Sequence, residues 1–318
     1  MRVLITGGAG FIGSHIVDAC LQAGYQPAVI DDLSSGSREN LPSDIPFYQT
    51  DICDAEAVER ICGAFRPDVI CHQAAQMSVS RSVREPEFDA RVNVLGLLHV
   101  FSSGIRHGAR RLVFASSGGV LYGDVYEPAA EDTPPRPISP YGITKLAGEL
   151  YLQYFVREHR VEGIALRYAN VYGPRQNPHG EAGVVAIFCQ RLLSGQPATI
   201  HGDGLYDRDY VFGPDVARAN LLAMTANLPE RFMALNIGTG QATNVIQLEE
   251  RIRREVARVR PGMQLPSAWF GPARPGDLRS SIVDARRAHE VLGWHPSVSL
   301  EEGLQRTVHW FAERVVPA

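Results

Sequence analysis

The stretch Val3-Leu4-Ile5-Thr6-Gly7-Gly8-Ala9-Gly10-Phe11-Ile12-Gly13 constrains this chain more than any other. Its glycines at 7, 10 and 13 follow a short apolar run, Arg2 to Thr6. They precede a segment in which Ile12, Ile16, Ala19, Cys20 and Ala23 fall on one helical face. A strand that turns tightly into a helix can bring free backbone N–H groups against a pyrophosphate. Side chains at the glycine positions would obstruct the turn, the anion and the packing of helix on strand. The glycine spacing alone describes only a tight turn. Asp31 supplies the other half of the signal, because it ends the next strand-like run, Gln26 to Ile30, 18 residues beyond Gly13. That is close to the spacing at which an acid meets an adenosine ribose. A carboxylate there repels a 2′-phosphate, so the pair points to NAD rather than NADP.

The first half of the chain keeps this rhythm. Strand-like runs at Phe47 to Gln49, Asp68 to His72, Leu112 to Ala115 and Gly163 to Leu166 alternate with helical patterns at Ala55 to Phe65, Phe88 to His107 and Tyr141 to Glu158. The alternation predicts an α/β fold, a Rossmann-type doubly wound parallel sheet with helices on both faces. Beyond Tyr168 the rhythm breaks, and Tyr172 to Gly183 and Pro261 to Gly276 read as long loops rich in Pro, Gly and Arg. The expected division is an NAD-binding domain, 1–168, and a smaller, mixed α/β substrate domain, 169–318, with some segments returning to the first.

Composition excludes several classes of function. The 318 residues carry a net charge of -4 with no basic stripe, which argues against a nucleic-acid partner. Apolar runs are far shorter than a membrane span needs, and Val3-Leu4-Ile5 is too short for a signal-peptide core. Cys20, Cys53, Cys62, Cys71 and Cys189 form no C-x-x-C pair, so the expectation is reduced thiols, no metal site and a cytoplasmic protein.

Two further motifs carry chemistry. In Ser-Pro-Tyr-Gly-Ile-Thr-Lys, residues 139 to 145, Tyr141 and Lys145 share a helix face. A tyrosine is a poor base at its usual pKa of ~10. A neighbouring ammonium and a cationic nicotinamide would stabilise its phenolate. In Phe-Ala-Ser-Ser-Gly-Gly-Val-Leu-Tyr-Gly, residues 114 to 123, a strand-end serine could hold the substrate oxygen beside that tyrosine. Counting from Phe114 selects Ser117; counting back from Tyr122 selects Ser116.

The chain resembles the extended short-chain dehydrogenase/reductases, and within them the UDP-hexose 4-epimerases. LITGGAGFIGSH, DDLSSG, HQAA, VNVLG, SSGGVLYG, SPYGITK, LRYANVYGPRQ, RDYV and RPGDLRSS carry the resemblance along nearly the whole sequence. It implies a catalytic triad of Ser117, Tyr141 and Lys145. It implies cofactor contacts at Gly7, Gly10, Phe11, Ile12, Asp31, Asp32, Ser34, Ser35, Gly36, Asp51, Ile52, Ala74, Ala75, Gln76, Asn93, Tyr141, Lys145 and Tyr168. The implied reaction inverts C4 of a UDP-sugar through a 4-keto sugar, with tightly held NAD regenerated in each turnover. A homodimer is implied as well, paired through the helices Phe88 to His107 and Tyr141 to Glu158.

For the nucleotide sugar, the resemblance points to Asn170, Arg208, Arg274 and Asp277 around the diphosphate and ribose, and to Thr199 and His201 near the uracil. Arginines fork onto phosphate oxygens, which suits this role. Ser281, seventh after Arg274, stands where a bulky residue restricts the sugar pocket in related enzymes, so a roomy pocket that accepts N-acetylated hexoses is expected. Arg175 could instead reach a C6 carboxylate, which would make the substrate UDP-glucuronate. The 4,6-dehydratases and UDP-glucuronate decarboxylases typically carry acids just after the catalytic Ser or Thr, where this chain has Gly118 and Gly119. A non-catalytic NAD-binding regulator on the same fold would be marked by a damaged triad; here the triad is intact.

Overall fold

The structure is a computed structural model that describes residues 1–179, 183–273 and 277–315. The first half supplies strands β1 (Arg2–Thr6), β2 (Gln26–Asp31), β3 (Phe47–Gln49), β4 (Val69–His72), β5 (Arg111–Ser117) and β6 (Glu162–Tyr168). Three short strands follow, β7 (Asn170–Tyr172), β8 (Thr199–His201) and β9 (Asp207–Phe212), and then β10 (Phe232–Ile237). The main sheet is seven-stranded and parallel, in the order β10-β6-β5-β4-β1-β2-β3.

Both faces of this sheet are covered, which is why its strands are apolar almost throughout. Val3 and Ile5 point into one cluster with Ile16, Val17 and Cys20 of the helix Phe11–Gln22. Leu4 points into the other, with Val58 and Ile61 of the helix Ala55–Phe65 and Leu152 of the long helix Pro140–His159. Later segments return to this body: β10, Val216 and Ala219 of the helix Gly213–Ala223, and Trp294 join the first cluster. A third cluster, including Phe188, Leu192, Tyr210, Ile252 and Leu304, sits in the second half. There β9 is the hub, pairing with β7, with β11 (Ala242–Asn244) and with β13 (Ser280–Ser281), while β8 pairs with β12 (Trp269–Gly271).

Two local expectations change. The helix expected over Phe88 to His107 is one continuous helical run, but between Pro86–Ala90 and Leu97–Arg106 it widens into a π-type turn, Arg91–Gly96. The wide turn holds Asn93 inward, where its amide bonds both the N–H and the C=O of Gln76, at 2.8 and 3.0 Å. Such turns recur where a helix must aim one side chain. The stretch Pro261 to Gly276, expected to be loop, contains β12, whose Trp269 and Phe270 remain exposed.

Candidate active site

The C-terminal edge of the parallel sheet collects the glycine loop after β1, Asp31 at the end of β2, the Ala74–Gln76 segment after β4 and Ser117 at the end of β5. This is the edge at which doubly wound sheets open a ligand crevice. Gly7 adopts φ 67°, and a Cβ there would stand 2.7 Å from the Ala74 nitrogen. A Cβ on Gly13 would collide with the Gly7 carbonyl, and one on Gly36 would stand 2.8 Å from the backbone of Ala9. Gly10 is the N-cap of the helix Phe11–Gln22 and offers no side-chain cap, so the first-turn N–H groups of Phe11 and Ile12 stay available to an anion. Buried Asp31 accepts the N–H groups of Ala9 and Leu33, each at 2.9 Å. Burial pushes its carboxyl pKa up and those bonds oppose the shift. Asp32 takes the N–H and hydroxyl of Ser34, fixing the turn that carries Ser35 and Gly36. Asp51 takes the N–H of Cys53, and Ile52 lies where a Cβ on Gly96 would have to go. A glycine cradle, an uncapped helix start and a carboxylate at the next strand end fit a dinucleotide with a free 2′-hydroxyl.

Other residues expected around the cofactor are engaged with the protein. The hydroxyl of Tyr168 meets Gln73 and Asn220, at 3.1 and 3.0 Å. Gln76 and Asn93 bond each other and converge on Asp89, together with Thr144. Ala74 donates its N–H to Thr6, whose hydroxyl is 2.7 Å from Nδ1 of buried His72.

The long helix brings the tyrosine and lysine to the crevice. Ser139 caps it through the Gly142 N–H at 3.2 Å, and Pro140 occupies the first turn. Gly142 permits close approach, since a Cβ there would stand 2.9 Å from Pro137 and 3.0 Å from the Val120 carbonyl. Tyr141 faces Ser117; burial and the nearby Asp89 push its pKa above the ordinary tyrosine value, and Ser117 opposes the rise. Lys145 sits one turn on, its Nζ 5.6 Å from the Tyr141 ring centroid, and donates to the Ala115 carbonyl at 2.8 Å. Burial lowers its pKa to about 8, against the pull of Asp89. Tyr141 is therefore a neutral phenol in this protein, and it needs added positive charge to become a base.

The geometry separates the two serines. Ser116 points to the opposite side of β5, donating to Glu149, which is paired bidentately with Arg167 at 2.9 and 2.7 Å. Arg167 in turn donates to the Tyr122 hydroxyl. Ser117 alone faces Tyr141.

Ser117, Gly119, Asn170 and Ser281 meet in one place. A Cβ on Gly119 would be 3.6 Å from the Asn170 Oδ1 and 3.8 Å from the Ser117 Oγ, and the Ser281 hydroxyl is 3.4 Å from the Gly119 carbonyl. A Cβ on Gly118, by contrast, would stand 2.7 Å from Val283. Arg208 and Asp277 pair with each other at 2.5 Å, and Arg208 also donates to the Leu278 carbonyl. Thr199 and His201 lie on β8, with the His201 ring against the Pro272 carbonyl at 3.1 Å. Arg274 lies outside the described residues. Arg175 is apart from this group, in the left-handed region (φ 69°) and paired at 2.7 Å with Asp18 on the helix Phe11–Gln22.

Sequence reasoning missed Tyr210. It lies opposite Asn170 in the β7–β9 register, is 5% exposed, and its hydroxyl has no partner among the described residues. The signal was available, because Tyr210 is two residues from Arg208 and strand alternation puts both on one face. Two buried carboxylates were missed as well, Asp89 against the Tyr141–Lys145 helix and Glu149 on it.

Residues 3–238 match the NAD dependent epimerase/dehydratase family. The chain is 45% identical to the UDP-glucose 4-epimerase of Mycolicibacterium smegmatis, with 99% of each chain covered. It is similar to the crystal structure of UDP-glucose 4-epimerase with UDP-glucose from Thermotoga maritima, at 48% identity, 99% coverage of each chain and a TM-score of 0.93. It is also similar to the Thermus thermophilus UDP-glucose 4-epimerase complex with NAD, at 44% identity, 99% and 100% coverage and a TM-score of 0.91.

Proposed function

The chain belongs to the NAD dependent epimerase/dehydratase family, and on that premise we propose that it is an NAD-dependent isomerase that inverts C4 of a UDP-hexose. The observation that carries this reading is Tyr141 facing Ser117, with Lys145 behind it and no side chain at Gly118 or Gly119. Tyr141 takes the proton from the sugar 4-hydroxyl and returns it to the same oxygen once the 4-keto sugar has presented its other face. Ser117 holds that oxygen. Lys145 supplies positive charge to the phenolate. NAD, when bound, supplies a hydride acceptor and donor that ends each cycle unchanged. Gly7, Gly10, Phe11 and Ile12 would receive its pyrophosphate, and Asp31 its adenosine ribose. Dehydration or decarboxylation asks for further acid–base groups, and the space at Gly118 is filled by Val283.

UDP-glucose and UDP-galactose are the proposed substrates. Their nucleotide would be held by Asn170, Arg208 and Asp277, with Arg274, Thr199 and His201. Small Ser281 beside bare Gly119 supports tolerance of an N-acetyl group. The UDP-glucuronate reading would require Arg175 to leave Asp18 for the substrate carboxylate. We also propose a homodimer built on Leu95, Ile143, Leu150, Tyr151 and Tyr154, large apolar side chains left exposed on the two expected helices. Among the described residues no helix is long and apolar enough to cross a membrane, and a cytoplasmic location is the proposal consistent with that.

The test is to incubate the protein with UDP-glucose, UDP-N-acetylglucosamine and UDP-glucuronate in turn and resolve the C4 epimers. Epimers of the first two, without net consumption of NAD, are expected. No epimer from any of the three overturns the reading. Tyr141→Phe should lose activity by about 10³-fold while keeping its melting temperature and bound NAD.

A further inference from the structure

Asp89 lies in the short helix Pro86–Ala90, has no exposed surface, and is a carboxylate surrounded by neutral donors. Gln76 and Asn93 reach one of its oxygens at 2.7 and 3.1 Å, and the Thr144 hydroxyl reaches the other at 2.8 Å. No Lys, Arg or His lies within ion-pair distance of it among the described residues. A buried charge of this kind normally has a partner or gives up its ionisation. The donors belong to the segment after β4, to the wide turn and to the long helix, so the carboxylate ties the wall of the cofactor crevice to the residue that precedes Lys145. We propose that Asp89 is a positioning residue for the Tyr141–Lys145 pair, its carboxylate serving as the counter-charge that keeps Lys145 an ammonium ion. This rests on the reading of Tyr141 as the proton-transfer group.

Among the described residues, the surroundings of Lys145 leave Asp89 alone in that role. From β5 it meets the Ala115 carbonyl and the Phe114 ring, both uncharged. From β4 it faces His72, which burial and Lys145 itself hold neutral, with a pKa pushed down to about 3. On its own helix it faces Tyr141, a neutral phenol, and Glu149 one turn later is already paired with Arg167. Asp89 is the neighbouring anion that raises the Lys145 pKa against burial, and it raises that of Tyr141 as well.

Asp89→Asn removes the charge and keeps the shape. Its carboxamide oxygen can take the bonds from Gln76 and Asn93. Its nitrogen can donate to Thr144, whose hydroxyl already lies 3.0 Å from the Tyr141 carbonyl and can donate there instead. Both Lys145 and Tyr141 should then titrate lower. The pH profile of kcat should move to lower pH by about one unit, which is about a tenfold loss on its alkaline side with KM little changed. Thr144→Val, which keeps the charge and deletes one bond, should lower kcat without moving the profile.

A second readout needs neither cofactor nor substrate. Lys145 binds its proton less tightly folded, at about 8, than unfolded, at ~10.4. The unfolded chain therefore holds more protons between those values, and stability gains from this group as pH rises through that window. In Asp89→Asn the onset of that gain, followed by thermal melting, should start about one pH unit lower. A variant whose kcat profile and melting profile both superimpose on the parent's overturns the proposal. Asp89→Ser is the second neutral variant; if neither folds, Asp89 serves the fold and the assignment is overturned. A parent protein that epimerises nothing overturns the function instead, and the melting comparison still decides the role of Asp89.

Discussion

The helix Pro140–His159 meets two buried carboxylates, one of its own and one from the helix Pro86–Ala90, and they are handled in opposite ways. Glu149 is closed off by Arg167, which grips it at both oxygens, and by Ser116. Asp89, packed nearer the N-terminus of the long helix, is held by an amide pair and a hydroxyl and meets no cation of its own among the described residues. The first arrangement cancels its charge locally and joins β5, β6 and the helix into one rigid unit. The second leaves its charge to be felt by Lys145 and Tyr141. Two carboxylates of equal burial thus do different work, and the difference lies in whether a guanidinium stands beside them.

That contrast can be broken at several points. Arg167→Met should have the largest effect, because it leaves Glu149 buried and uncompensated. A loss of about 3–5 kcal/mol of stability is expected in chemical denaturation, with kcat per folded molecule retained. A large drop in kcat without loss of stability would show that the Glu149 cluster is not confined to the fold. The two serines give the next test. Ser117→Ala should cost about 10–100-fold in kcat, or ~1.4–2.7 kcal/mol of barrier, with unfolding unchanged. Ser116→Ala should cost about 1 kcal/mol of stability, with little effect on turnover. The reverse pattern would exchange their roles.

Much of the first half was legible because its signals are local. A turn that admits no Cβ demands glycine wherever it occurs, and Gly7 and Gly13 could be read without knowing what surrounds them. Tyr141 and Lys145 share a face by helical geometry alone. The strands β1, β2 and β3 fell within a residue of where the apolar runs placed them. The second half was less legible because its strands are short and its pairings distant. β13 joins β9 across 73 residues, and two-residue strands leave no period to detect. The helix expected over Phe88 to His107 formed without a break, but its widening around Asn93 was not legible, since a wide turn needs no visible breaker in the sequence.

By itself, then, the sequence determined the sheet's order of strand and helix, the cofactor cradle and the tyrosine–lysine pair, each through backbone rules that act over a few residues. Only the tertiary structure decided which serine faces Tyr141. Adjacent residues on a strand point to opposite faces, and the choice rests on which face the long helix covers. Only the tertiary structure could pair Arg208 with Asp277, set Ser281 beside Gly119, commit Arg175 to Asp18 and leave Asp89 beside Lys145. Those neighbours are brought together by packing between distant segments, for which no local rule leaves a mark in the chain.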